Sequence, residues 1–114
     1  MARHKTFLGT LTLSTSPSAV SNILASRELA MCVGLVFYNP AAFTGTISVQ
    51  VASNEGAVAG DMKALYNNGS AVVLTAARVE KHDVGGFEAI RIVTSGTEAA
   101  QRDVPVFAIL DIPD

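Results

Sequence analysis

Between Thr44 and Ser53, apolar and polar side chains take turns: Ile47, Val49 and Val51 are separated by Thr46, Ser48, Gln50 and Ala52. A period of two marks a half-buried β-strand, because successive side chains leave opposite faces of the pleat. The stretch predicts an antiparallel sheet with one packed face and one polar face. The polar face, Thr46, Ser48 and Gln50, carries no charge, so it suits either solvent or a covering neighbour.

The rest of the chain extends this pattern. Residues 6–14 alternate, with Leu11 and Leu13 inward and Thr10, Thr12 and Ser14 outward; Ser16-Pro17-Ser18 breaks the run. Residues 18–24 admit two readings. Val20, Ile23 and Leu24 fit a helical stripe with Ser16 as cap and Pro17 at the first position; the serine content favours a strand or irregular edge. Glu28 to Tyr38 is the most apolar run and reads as a central strand, with Leu29, Met31, Val33, Leu35 and Phe37 on one face and Ala30, Cys32, Gly34, Val36 and Tyr38 on the other. The small residues of the second face suggest a second layer or subunit close by. Asn39-Pro40 ends it. Short strands follow at 62–66 and 71–75 around Asn67-Asn68-Gly69-Ser70, where Asn-Gly supplies the positive φ angles of a tight hairpin. Residues 79–84, 87–95 and 104–112 complete the set, with Gly85-Gly86 as a tight turn or bulge and Pro105 at an edge or bulge. The expectation is a single domain over residues 1–114: all-β, an antiparallel β-sandwich or jelly roll of about eight strands.

Composition bears on function. Hydrophobic residues make up 49% and charged residues 16%, against roughly 25% charged in an average soluble domain. A folded monomer of this size exposes roughly 6,000 Å², and 8 Lys and Arg with 10 Asp and Glu must cover it. Part of that surface is expected to be covered by copies of the chain or by a partner; the plainer alternative is a neutral surface rich in Ser, Thr and Asn. The net charge of −2 and the absence of a basic run exclude a nucleic-acid footprint. Arg3-His4-Lys5 is followed by threonine-alternating residues and not by the apolar core of a secretion signal. No run approaches a membrane span. The expectation is synthesis in a host cytoplasm without export.

The chemistry-bearing residues are sparse. Cys32, the lone cysteine, lies in an apolar run and reads as a small buried hydrophobe. His82-Asp83 is the one close metal-type pair, and adjacent strand residues point to opposite faces; it reads as an exposed strand end, and His4 as part of a mobile terminus. No Gly-x-Ser-x-Gly elbow is present. Gly56 and Gly60 bracket a loop that no lysine and no helix follow. Asn68-Gly69-Ser70 matches a glycosylation sequon, but the turn reading is preferred. Glu55, Asp61, Glu80, Asp83, Glu88, Glu98, Asp103 and Asp111 are scattered and read as solvated, edge-protecting groups. Phe7, Phe37, Phe87 and Phe107 lie in or beside apolar strands and read as core. The expected surface for contacts comprises Tyr38, Phe43, Tyr66, Glu98 and Arg102, with loops 39–45, 54–61 and 95–103 around it. No catalytic, cofactor-binding or metal-binding residues are assigned, and the chain is not expected to be an enzyme.

Three segments carry a resemblance: Leu11-Thr12-Leu13-Ser14-Thr15-Ser16-Pro17-Ser18-Ala19-Val20, the run from Gly34 through Tyr38-Asn39-Pro40 and Thr44-Gly45-Thr46 to Val51, and Gly86-Phe87-Glu88-Ala89-Ile90-Arg91-Ile92 continuing to Ala100. Together they resemble small β-sandwich virion proteins of tailed bacteriophages, the decoration (cement) proteins and related head or tail proteins. The resemblance implies a non-enzymatic virion protein that binds the major capsid protein and copies of itself, with trimers at lattice three-fold positions as the usual arrangement. It implies no cofactor, no nucleic acid and no membrane. A tail- or baseplate-associated sandwich that binds a receptor or glycan through Tyr38, Phe43 and Tyr66 is the alternative; the absence of Trp counts against it.

Overall fold

The computed structural model describes residues 2–15 and 19–112. The expected break at Ser16-Pro17-Ser18, and the cap it would supply, lie outside the described residues. In chain order the elements are β1 (Ala2–Leu13), β2 (Leu24–Ala25), α1 (Arg27–Met31), β3 (Gly34–Tyr38), β4 (Ile47–Ala52), a 3₁₀ turn (Ala59–Asp61), β5 (Lys63–Ala64), β6 (Tyr66–Asn67), β7 (Ser70–Ala71), β8 (Val73–Leu74), β9 (Val79–His82), β10 (Ala89–Thr94) and β11 (Arg102–Ile112). The fold is all-β, as the alternation predicts. One antiparallel sheet, sheet A, has the order β1-β11-β3-β9; the other, sheet B, runs β2-β10-β4 and then β5, with β8 also on β4. Their inner faces interleave. Leu11, Leu13, Leu35, Phe37, Val104 and Val106 from sheet A meet Ile47, Val49, Leu74, Ile90 and Ile92 from sheet B in one buried cluster. Each large apolar side chain removed from water in this way contributes roughly 1.5–3 kcal/mol.

The strand expected over 28–38 begins only at Gly34. Ser26 caps a helical turn first: its Oγ accepts from the Glu28 N–H at 3.2 Å. The turn buries Leu29 alone and leaves Met31 63% exposed, so the single-face reading of Leu29 through Phe37 fails at its N-terminal half. A serine hydroxyl that satisfies an otherwise orphaned N–H outweighs β propensity over these few residues. Of residues 18–24, those described are irregular edge and not helix: Val20 bridges to Val93, and Leu24 pairs with Ile90.

β1 is longer than the run at 6–14 and contains a bulge. Phe7 pairs with Phe107 but Gly9 pairs with Val106, so Leu8 is the extra residue. A bulge switches the phase of alternation. Leu8 and Leu11 therefore both pack on the core, whereas Phe7 turns outward. Gly9 has φ +148°, and a Cβ there would lie 2.8 Å from Leu24 Cδ2; the bulge needs a residue without one. His4 is paired within β1, opposite Leu110, and not in a mobile tail.

The Asn67–Ser70 turn is the expected tight hairpin, with Asn68 at φ 55° and Gly69 at φ 80°. The hairpin interrupts the strand beside β4, so that β5 and β8 cover its edge separately. Gly85-Gly86 does not join neighbouring strands, since β9 lies in sheet A and β10 in sheet B; it is a crossover. Pro105 lies in central β11, not at an edge. It is tolerated because the β3 ladder stops one residue earlier, at Val106↔Phe37.

Candidate interaction surface

The two sheets present different outer faces. On sheet B, Arg91 lies flat, only 8% exposed, and its Nε donates to Gln50 Oε1 at 2.8 Å. Beside it the chain covers its own sheet: Met62 and Ala57 from the 53–62 loop pack with Ile23 over Ala52 and Ala89. The uncharged strand face of Ser48 and Gln50 is thus closed in part by the chain itself.

Sheet A is not covered in this way. Alternation and the bulge place Phe7, Phe107 and Tyr38 together on its outer face. The rings of Phe7 and Phe107 lie 5.1 Å apart, and those of Tyr38 and Phe107 5.2 Å apart, edge-on. Phe7 is 56% exposed. Lys5 folds across the cluster: its Nζ donates to Tyr38 Oη at 2.9 Å and sits 4.9 Å from the Phe107 ring centre. An ammonium over an aromatic face is attracted by the ring quadrupole. Val79, 57% exposed, extends the patch across β9. Phe7 is therefore a surface residue and Phe107 a half-buried one on the outer face, against their expected place in the core. For Phe7 the cause is the bulge; Phe107, on a regular strand beside inward Val106 and Ala108, is out of phase with both.

The residues expected to form the contact surface separate. Tyr38 lies in the aromatic cluster. Tyr66 stands alone on the β6–β7 hairpin, 63% exposed. Phe43 packs against the main core. Glu98 is not on any surface: it is 1% exposed. Its carboxylate accepts from the backbone N–H groups of Thr44 at 2.7 Å and Gly45 at 2.9 Å, from Thr94 Oγ1 at 2.7 Å and from Arg102 Nε at 3.1 Å. Burial pushes its pKa up, but the Thr44 N–H, the Thr94 hydroxyl, the Gly45 N–H and the Arg102 guanidinium outweigh it and hold the carboxyl down at about 2. Arg102 also donates from Nη2 to Thr44 Oγ1 at 3.2 Å. The unit ties the 39–46 loop to the 95–101 loop. Gly45 is required there, since a Cβ would meet Thr94 Oγ1 at 2.3 Å.

A second carboxylate, Glu80, is also drawn inward. Glu80 accepts from Thr75 N–H and from Asn39 Nδ2 (2.8 Å), and lies 3.1 Å from His82 Nε2. His82 in turn meets the Phe37 ring edge-on at 5.8 Å. Neither Glu80 nor His82 is the solvated strand-end group expected; each belongs to a half-buried network pinning β9 to the 75–80 turn. Cys32 is buried as expected, with Sγ 3.3 Å from the Leu29 carbonyl oxygen; burial pushes its thiol pKa up, which disfavours the reactive thiolate. Among the described residues no three His, Cys, Asp or Glu side chains converge as metal ligands, and no helix is long and apolar enough to cross a membrane. What the arrangement presents is an aromatic outer face with the Lys5 ammonium held over it. Comparison with protein-family models, with curated proteins and with solved structures finds no match to this chain.

Proposed function

We propose that this chain is a virion structural protein of a tailed bacteriophage, a decoration (cement) protein that binds the head lattice through the outer face of sheet A. The uncovered cluster of Phe7, Tyr38 and Phe107 carries the reading. A charge-poor sandwich that closes part of its other outer face with its own loop, yet leaves Phe7 in water beside half-buried Tyr38 and Phe107, has a face suited to a partner. The partner implied is the major capsid protein, with further copies of this chain at neighbouring lattice positions. Binding only the assembled lattice stabilises it by mass action, without any catalytic step. The resemblance of segments 11–20, 34–51 and 86–100 to such proteins supports the same reading.

The test is co-sedimentation with expanded heads that lack the protein. The wild-type chain should pellet with the heads and raise their disruption temperature. Phe7→Ser should weaken pelleting at least tenfold while shifting the stability of the free chain by less than about 1 kcal/mol, as suits an exposed position. A wild-type chain that stays in the supernatant sinks the proposal. Tyr66, exposed on the first strand of the hairpin, favours a second reading, a tail-associated sandwich that stacks a glycan on this ring. A glycan array without hits, or hits that survive Tyr66→Ala, removes it.

A further inference from the structure

Sheet A has one edge that is half closed and half open. β11 presents alternate residues to its two neighbours: the Ile109 carbonyl accepts from Val33 N–H at 2.8 Å on the β3 side, so the even-numbered residues of β11 face β1. Ala2, His4 and Thr6 stand opposite Ile112, Leu110 and Ala108 and complete that ladder. The N–H and C=O groups of Arg3, Lys5 and Phe7 therefore point the other way, off the edge of the sheet. Beyond the bulge the same outward row falls on Thr10 and Thr12, and there it is closed. Asn22 accepts from Thr12 N–H at 2.8 Å and donates to the Thr10 carbonyl at 3.1 Å, as a neighbouring strand would. Among the described residues nothing does this for Arg3, Lys5 and Phe7.

Edge strands are often protected by a lysine that reaches over them. Lys5 does not do so. It turns back over the sheet to Tyr38 Oη and the Phe107 ring and leaves the edge backbone bare. The side chains of Arg3, Lys5 and Phe7 share the outer face, so an added strand would place alternate side chains beside two cations and one exposed ring. Arg3, 61% exposed, is paired among the described residues with Asp111 at 3.0 Å. A second copy of β1 fits this edge badly, because the antiparallel register that uses all three residues sets Lys5 against Lys5.

We infer that the edge of β1 from Arg3 to Phe7 is a strand-addition site for an extended acidic segment of a partner protein. In antiparallel register the segment carries an aromatic or apolar residue opposite Phe7 and carboxylates opposite Lys5 and Arg3, each separated by one residue. Main-chain hydrogen bonds supply the affinity, and the alternate side chains supply the specificity. The inference does not require the virion assignment, and its test uses the isolated chain.

The probe is the capped peptide Thr-Phe-Thr-Glu-Thr-Glu-Thr, followed by calorimetry and by amide hydrogen exchange. Binding should slow exchange at Arg3, Lys5 and Phe7. Replacing both Glu by Lys, or N-methylating Phe and both Glu, should each weaken binding at least tenfold. Lys5→Glu should reverse the preference in favour of the Lys peptide with the melting temperature of the chain held, a reversal that a merely structural role for Lys5 would not produce. The inference is overturned if the acidic peptide fails to bind at millimolar concentration, if the Lys or N-methylated peptide binds the wild-type chain equally well, or if the protected amides lie on β9. A free chain that sediments as a dimer with Arg3, Lys5 and Phe7 already protected assigns the edge to a second copy and likewise overturns it.

Discussion

Glu98 shows how far a single residue can depart from its local sequence. Flanked by Thr97 and Ala99, it reads as a loop carboxylate in water. Tertiary structure instead brings two backbone N–H groups, the Thr94 hydroxyl and Arg102 around it. Thr94 and Arg102 lie four residues to either side, but the two backbone donors come from 54 and 53 positions away, beyond the reach of any local spacing. Glu98→Gln would leave Arg102 without its charge partner and turn an amide NH₂ toward donors. The expected cost is roughly 3–5 kcal/mol, the usual consequence of breaking a buried pair, read as a lowered midpoint in chemical denaturation. The pH dependence follows from a folded pKa below the unfolded one. The contribution of Glu98 is complete above the ordinary carboxyl value of 4.5 and is lost as pH falls toward about 2. Stability measured from pH 6 down to pH 2 should therefore fall more steeply in the wild-type chain than in Glu98→Gln. Equal slopes would show that Glu98 is not the group that titrates.

At the level of elements, alternation made the strands legible, including the core positions Leu11, Leu13, Ile47, Val49, Ile90 and Ile92. It did not reveal where alternation changes phase. Phe7, Gly9, Leu11 and Leu13 stand on one face of an unbroken strand, and the bulge at Leu8 moves Phe7 to the other. Gly9→Ala tests the device. With φ +148° and Leu24 Cδ2 at 2.8 Å, the added methyl should destabilise the chain by about 1–3 kcal/mol; an unchanged melting temperature would mean that β1 can run without its bulge. The closed half of the same edge depends on one side chain. Asn22→Ala should cost about 1 kcal/mol and speed amide exchange at Thr12 while leaving Leu11 protected in the β11 ladder. α1 was hidden for a related reason: apolar residues at 29, 31, 33, 35 and 37 satisfy a strand pattern, and the Ser26 cap that selects the helical turn lies outside that run.

For the whole molecule, the decisive pairing is that of the first strand with the last. Ala2 stands opposite Ile112, and Leu13 opposite Arg102. Sheet A cannot form until nearly the whole chain has been gathered, which imposes a large loop-closure entropy before that ladder stabilises anything. Refolding after a denaturant jump should accordingly take milliseconds to seconds, and microsecond refolding would contradict this topology. The first and last described residues, Ala2 and Ile112, stand opposite each other, in a molecule 46 Å long and 30 Å by 26 Å across. The sequence by itself determined the fold class, because alternation, turn residues and apolar content are local properties that act wherever the strand is finally placed. It also determined the low charge that leaves a surface of 5817 Å² sparsely covered. Tertiary structure alone decided which strands are neighbours, which aromatics face water and which carboxylates are buried. Each of those depends on register between residues far apart in the chain, and one extra residue in a strand reverses the face on which every earlier side chain stands.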